Sequence, residues 1–287
     1  MQRISPAKVN LFLRVGPIRQ DAYHGLVSWF VSTALHDTLA FEPAVDGPVV
    51  LTCDLPHLAV DQSNLILKAA DLLRHAAGSP KGATIHLEKR IPMGAGLGGG
   101  SSNAATTLLA LNDLWQCNLP QLTLCDLAAR LGSDVPFFLN LPSAICRGRG
   151  EIIREFPSPR CSWIVLILPP ISMPTPQVYR QFDVMQKGTD LASLPPMEHL
   201  ASLSASELLP QLANDLEAPA FALRPDLGEL RAAIETHLAR PVRMSGSGAS
   251  LFTLFDAQAD AADAARAITS HFAIPAHAVR LGSQSAI

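Results

Sequence analysis

The opening residues, MQRISPAKVNLFLRV, alternate apolar and polar positions, the period of a strand with one buried face. The same pattern predicts strands around Ile4 to Val15, Leu26 to Phe41 and Val49 to Cys53, and another at ATIHLEK. NLILKAADLLRHA, beginning at Asn64, repeats apolar residues at helical spacing, and a second helix is expected from about Ser101 to Trp115. A third, LTLCDLAARL, leads into GSDVPFFL, where Pro136 should break any helix. After Glu151 the chain changes character, because FPSPRCSWIVLILPPISMPTPQVY is rich in proline around one buried strand. Helical patterns resume at SASELLPQLANDL and DLGELRAAIETHLA, VRMSGSGASLFTLF reads as strand, loop and strand, and AQADAADAARAITSHF reads as a helix. The change places a domain boundary near residue 155, dividing the chain into 1–155 and 156–287.

Composition supports a packed protein: 48% of the 287 residues are apolar and 16% charged, enough to bury a large core in one or two domains. The longest apolar run, WIVLILPPI, falls well short of the roughly 20 residues that span a bilayer. The first residues carry no h-region, so a soluble cytoplasmic protein is expected, with no membrane partner. A net charge of -3 supplies no basic field, which argues against nucleic acid as a partner. The five cysteines contain no CxxC pair and the nine histidines no HExxH, so a structural metal site is not expected and the thiols read as reduced.

One stretch asks for an explanation that packing does not give. Six of the eleven residues from Pro92 to Ser102 are glycine or alanine, and glycine is costly to order. A loop with few side chains opening a helix exposes backbone N–H groups at the positive end of the helix dipole, and polyphosphate is the natural occupant. Gly94, Gly96 and Gly99 also spell the glycine fingerprint of a dinucleotide fold. That unit should continue into a strand ending in an acidic residue about 20 positions on, whereas CNLPQLTLCDLAARL reads as loop and helix. A Walker loop is excluded because no GK[ST] occurs.

These residues resemble a known family. PMGAGLGGGSSNAA is similar to the central phosphate loop of the GHMP small-molecule kinases, SPAKVNLFLRV to their N-terminal motif, and MSGSGASLF (Met244 to Phe252) to their C-terminal glycine motif. Within the family, GLGGGSSNAAT, DAYH (Asp21 to His24), GSDVPFF (Gly132 to Phe138), PTP (Pro174 to Pro176) and NDLE (Asn214 to Glu217) look like the branch acting on 4-(cytidine 5'-diphospho)-2-C-methyl-D-erythritol. The resemblance covers nearly the whole chain. It implies a two-domain α+β fold, the first domain binding ATP and the active site lying in the inter-domain cleft. It also implies ATP as donor, Mg2+ carried by ATP, and a small-molecule acceptor bearing a cytidine diphosphate group.

The resemblance further implies roles. Asp134 takes the place of the family base, and Lys8 that of the lysine set against it and the reacting oxygens. Pro92, Met93, Gly94, Ala95, Gly96, Leu97, Gly98, Gly99, Gly100, Ser101 and Ser102 form the phosphate loop, either serine being a candidate to touch the metal. Asn64 and Lys89 fall at the adenine pocket. Tyr23 and Tyr179 fall at substrate positions where they would stack on the cytosine, with His24 and Asn10 supplying hydrogen bonds. Ala22 departs from the family, which has glycine there; if the position needs φ > 0, alanine is strained or the loop takes another path. The CRGRGEI segment, with Arg147 and Arg149, has no assigned role. The competing readings are a GHMP kinase for another acceptor and a non-catalytic nucleotide-binding protein of the same fold; the latter should have lost Lys8 or Asp134.

Overall fold

A computed structural model describes residues 1–140, 142–185 and 188–282. The chain begins with a long antiparallel hairpin, β1 (Gln2–Ile18) and β2 (His24–Ala44), whose ladder is interrupted by bulges at Pro6/Lys8, Asn10/Phe12 and Val15/Ile18. Bulges bend a strand and re-aim its side chains. β1 lies along one edge of β2. The other edge takes β5 (Ser143–Gly148) beside Leu26 to Val31 and β4 (Gly82–Glu88) beside Thr38 to Ala44. β3 (Val49–Cys53) adds parallel to β4, and β6 (Ile152–Glu155) antiparallel to β5. The helices α1 (Leu65–Ala77), α2 (Gly99–Leu114) and α3 (Gln121–Leu131) belong to the same half.

The second half builds the antiparallel sheet β10-β7-β9-β8 from β7 (Trp163–Ile167), β8 (Arg243–Met244), β9 (Leu251–Phe255) and β10 (Ala276–Arg280). Its helices are α4 (Thr175–Met185), α5 (Ala205–Leu208), α6 (Glu217–Leu223), α7 (Pro225–Leu238) and α8 (Gln258–Phe272).

Three apolar clusters hold the layers in the order helix, sheet, sheet, helix. In the first, Leu39, Phe41, Ile85 and Leu87 meet Ile66, Leu73, Leu108 and Leu124 of the helices. In the second, Val9, Leu11, Trp29 and Val31 meet Ile164, Leu166, Phe252 and Leu254, so the two sheets pack face to face. In the third, Val165, Ile167 and Leu251 meet Val178, Phe182, Ile234 and Ile268. β7 therefore sends alternate side chains into two cores, which is why its sequence is an unbroken apolar run.

Three expectations change. SASELLPQLANDL is not one helix: α5 has four residues, a 3-10 turn follows at Leu209–Gln211, and Leu212 is extended. Pro210 cannot supply the N–H a continuing helix requires. The proline-rich segment, in turn, contains α4, because Pro176 occupies its first turn, where no intrahelical N–H is needed. For the same reason Pro136 is tolerated at the start of a 3-10 helix over Val135–Leu139. Among the described residues no helix is long and apolar enough to cross a membrane.

Candidate active site

A cleft of about 860 Å3 is lined by Lys8, the glycine loop and Asp134 from the first half of the chain and by Thr175, Tyr179, Gly246 and Ser247 from the second. Lys8 stands on β1 beside the first bulge, its side chain only 4% exposed. Its Nζ donates to Asn10 Oδ1 at 2.6 Å and to the Gly96 carbonyl at 3.1 Å, and lies 3.4 Å from Asp134 Oδ2. The three ammonium donors thus have three oxygen partners, and the Phe30 ring lies beneath at 4.7 Å. Asp134 opens the 3-10 helix without capping it; one third of its side chain is exposed, leaving the carboxylate reachable from the cleft. Asn10 lines the cleft too, but its amide also serves Lys8 and, through Nδ2, the Ser28 hydroxyl at 2.9 Å.

The glycine loop packs against protein backbone as well as lining the cleft. Gly94, Gly96 and Gly98 have φ of 63, 76 and 69°, the left-handed region glycine favours. A Cβ on Gly96 would collide with the Ser245 carbonyl oxygen and lie 3.0 Å from that of Gly248, so the two glycine motifs touch backbone to backbone. Ser250 N–H donates to Ala95 at 3.2 Å and Ser245 Oγ to Gly96 at 3.1 Å, which locks the loops together. A Cβ on Gly98 would press on Lys8 and Phe138 at 3.0 Å. In α2 the Ser102 N–H reaches back to Gly98 at 2.9 Å; the preceding amides of Gly99, Gly100 and Ser101 are those that a helix leaves open at its positive end.

Pro92 to Ser101 all line the cleft. Ser102 does not join them: it is fully buried, its hydroxyl 2.7 Å from that of Ser5, because its position on α2 turns it toward β1. Of the two serines only Ser101 is placed to meet a ligand. Asn64 caps α1 through Ile66 N–H and lines the cleft. Lys89 lines it as well, but its Nζ is 2.8 Å from Asp37, which is completely buried and also accepts the N–H groups of Arg90 and Ile91. Its ammonium is bonded in addition to the Ile91 carbonyl, so its charge is met by Asp37 within the protein. Asp37 thereby pins the backbone that leads into the loop.

The rest of the lining comes from residues of both halves of the chain. Tyr23 is 54% exposed, and the Arg149 guanidinium lies 4.5 Å from its ring centre. Arg149 approaches Asp21 at 3.7 Å, so of the basic segment Arg149 belongs to this wall, while Arg147 does not line the cleft. Tyr179 lines the same cleft and stacks on His24 with ring centres 5.6 Å apart. Burial chiefly, and the Asp134 charge secondarily, push its phenol up, keeping it a neutral ring. His24 does not have the free nitrogen that a ring-to-substrate bond needs: Nδ1 faces the Gly16 carbonyl at 2.8 Å and Nε2 the Asp183 carboxylate at 3.1 Å. Asp183 and Arg180, on α4, also line the cleft; with that helix hidden by the prolines, no local pattern signalled them.

Ala22 adopts φ of 61°, the strained conformation that its departure from glycine implied. Left-handed backbone costs alanine about 1–2 kcal/mol, of which about 0.4–1 kcal/mol is offset by the freer unfolded chain of glycine. Ala22→Gly is therefore expected to raise unfolding free energy by about 0.5 kcal/mol, and β-branched Ala22→Val to lower it by more than about 1 kcal/mol. Urea titration checks both; a glycine variant less stable than the parent would contradict the assignment of strain.

The GHMP kinases N terminal domain profile matches residues 64–140 and the GHMP kinases C terminal profile residues 195–274. A 4-diphosphocytidyl-2-C-methyl-D-erythritol kinase of Chlorobium phaeobacteroides is 40% identical over 280 residues, covering 96% of each chain. One from Burkholderia pseudomallei is 38% identical, covering 90% of this chain and 86% of its own. The crystal structure of a 4-(cytidine 5'-diphospho)-2C-methyl-D-erythritol kinase matches with a TM-score of 0.82 at 40% identity, over 99% of this chain and 100% of that one. A homoserine kinase from Cytophaga hutchinsonii, TM-score 0.74 at 18% identity over 98% and 94% of the two chains, shares the fold. With both domains matched and this degree of identity along almost its entire length, the chain belongs to the GHMP kinases and, among them, to the 4-diphosphocytidyl-2-C-methyl-D-erythritol kinases.

Proposed function

We propose that this chain transfers the γ-phosphoryl group of ATP to the 2-hydroxyl of 4-(cytidine 5'-diphospho)-2-C-methyl-D-erythritol, a step of the methylerythritol phosphate route to isoprenoid precursors. The observation that carries the chemistry is the Lys8–Asp134 pair, 3.4 Å apart beside the glycine loop and facing a cleft walled by both halves. Residues 1–155 serve as the ATP-binding unit and 156–287 as the unit that closes over the acceptor. The amides from Gly94 to Ser101 and the α2 dipole hold the phosphates. Asp134 takes the proton of the attacking hydroxyl as oxygen bonds to phosphorus and ADP leaves, and Lys8 offsets the charge that spreads over the transferring group. Among the described residues no three histidine, cysteine or acidic groups cluster as metal ligands. Mg2+ would arrive with ATP, and Ser101, which lines the same cleft, would be the serine within reach of it.

The cytosine stacks on Tyr23 and Tyr179, with Arg149 beside the first. An ADP-release assay over the cytidyl-methylerythritol substrate, mevalonate, homoserine and galactose tests the reading, and turnover should be confined to the first. Tyr23→Ala should raise KM for that acceptor about 5- to 150-fold, the worth of one base stack, with KM for ATP little changed. Phosphorylation of another acceptor in preference, or an unaltered acceptor KM, would overturn it.

A further inference from the structure

The NDLE segment sends its polar groups to two places that the chemistry needs. On one side it grips β1, the strand that carries Lys8 and Asn10: Leu13 N–H donates to Ala213 at 2.8 Å, Asp215 N–H to Leu13 at 3.0 Å, and the Asp215 carboxylate accepts from Arg14 and from Val15 N–H. On the other it grips the second glycine loop. Asn214 Nδ2 donates to the carbonyls of Met244 at 2.9 Å and Gly246 at 2.8 Å, while its Oδ1 accepts Leu216 N–H at 2.9 Å. Glu217 accepts Met244 N–H at 2.7 Å.

A peptide unit is planar and trans, so its C=O and N–H point in opposite directions. Asn214 draws the Gly246 carbonyl toward itself, and the Ser247 N–H of the same peptide must point away from Asn214. Gly246 and Ser247 line the cleft, and a Cβ on Gly246 would lie 3.1 Å from Asn10 Oδ1 and 3.7 Å from Lys8 Nζ. The Ser247 side chain is separately fixed by Thr175, hydroxyl to hydroxyl at 2.8 Å. The geometry points to Asn214 as a positioning residue for phosphoryl transfer: by holding the Gly246 carbonyl it aims the Ser247 N–H into the cleft near Lys8, as a donor to an anionic phosphate oxygen. The inference rests on the kinase reading above and adds a backbone donor whose direction is set from a side chain outside the cleft.

Asn214→Asp tests it with almost no change of shape. The variant keeps an acceptor for Leu216 N–H but turns both donated bonds into oxygen facing oxygen. Loss of one preorganised donor lowers turnover about 10²- to 10³-fold in the strongest cases, and misdirecting one should lower kcat at least about tenfold. The melting temperature should stay within a few degrees, and amide exchange across residues 244–250 should quicken. A KM that rises for ATP assigns the oxygen to ATP; one that rises for the acceptor assigns it to the acceptor diphosphate. If Asn214→Asp does not fold, Asn214→Ala removes the donors without adding charge. A kcat within twofold of the parent, unchanged exchange at 244–250, or a loss explained by a smaller folded fraction would overturn the role of Asn214. A parent enzyme inactive on every acceptor would instead overturn the kinase reading, and the exchange measurement would still decide whether Asn214 holds the loop.

Discussion

Asp134→Asn is expected to reduce turnover at least about 10²-fold while leaving ATP affinity within about threefold, because a positioned general base contributes roughly 10²- to 10⁴-fold. Asparagine matches aspartate in shape and can occupy the same place before Val135, so the 3-10 helix keeps its start. What disappears is the acceptor for the hydroxyl proton and the negative partner of Lys8. The lysine keeps Asn10 and the Gly96 carbonyl, so it stays in position. The aspartate is one-third exposed, which limits the stability its ion pair supplies, and little loss of folding is expected. Steady-state ADP release gives turnover and calorimetric titration gives ATP affinity. Turnover close to the parent would remove Asp134 from the mechanism, and a parallel collapse of both quantities would show damage to the fold.

Gly96→Ala should be nearly as damaging, by a different route. The added methyl meets backbone, the Ser245 and Gly248 carbonyls, which cannot swing aside as the end of a side chain would. It also forces alanine to φ of 76°. The loops must part, and with them the Gly96 carbonyl that accepts from both Lys8 and Ser245. A displacement of about 1 Å in such a site can cost 10²-fold in rate, so kcat/KM should fall by about that factor and the melting temperature should drop as well. Kinetics and calorimetry on the purified variant decide it; unchanged kcat/KM would mean that contact between the two glycine motifs is dispensable. The same result would show whether the loop's glycines answer to phosphate alone or also to the neighbouring backbone.

The sequence by itself determined the elements whose pattern is local. The strands β1 and β2, the helices α1 and α2 and the glycine-rich start of α2 all stand where the local pattern placed them, but β1 is buried on both faces from Ser5 to Leu13, so its polar positions turn to partners inside the protein and not to solvent. The motif resemblance implies one site for Lys8, Asp134, Tyr23 and Tyr179, and all four line one cleft. Tertiary structure decided the rest. Nothing local shows that Ser102 turns inward to Ser5 while Ser101 faces the cleft, since that depends on which side of α2 meets β1. Nor does spacing show that Asp37, 52 residues before Lys89, takes up its charge, or that Asp183 and Gly16 occupy both nitrogens of His24. Arg149 gained a place only when β5 paired with β2 and brought the end of one strand beside the turn at Asp21 to Tyr23. Hydrophobic period records which face of an element is buried, but a polar side chain's partner is chosen by the packing of elements far apart in the chain, and that choice leaves no period to read.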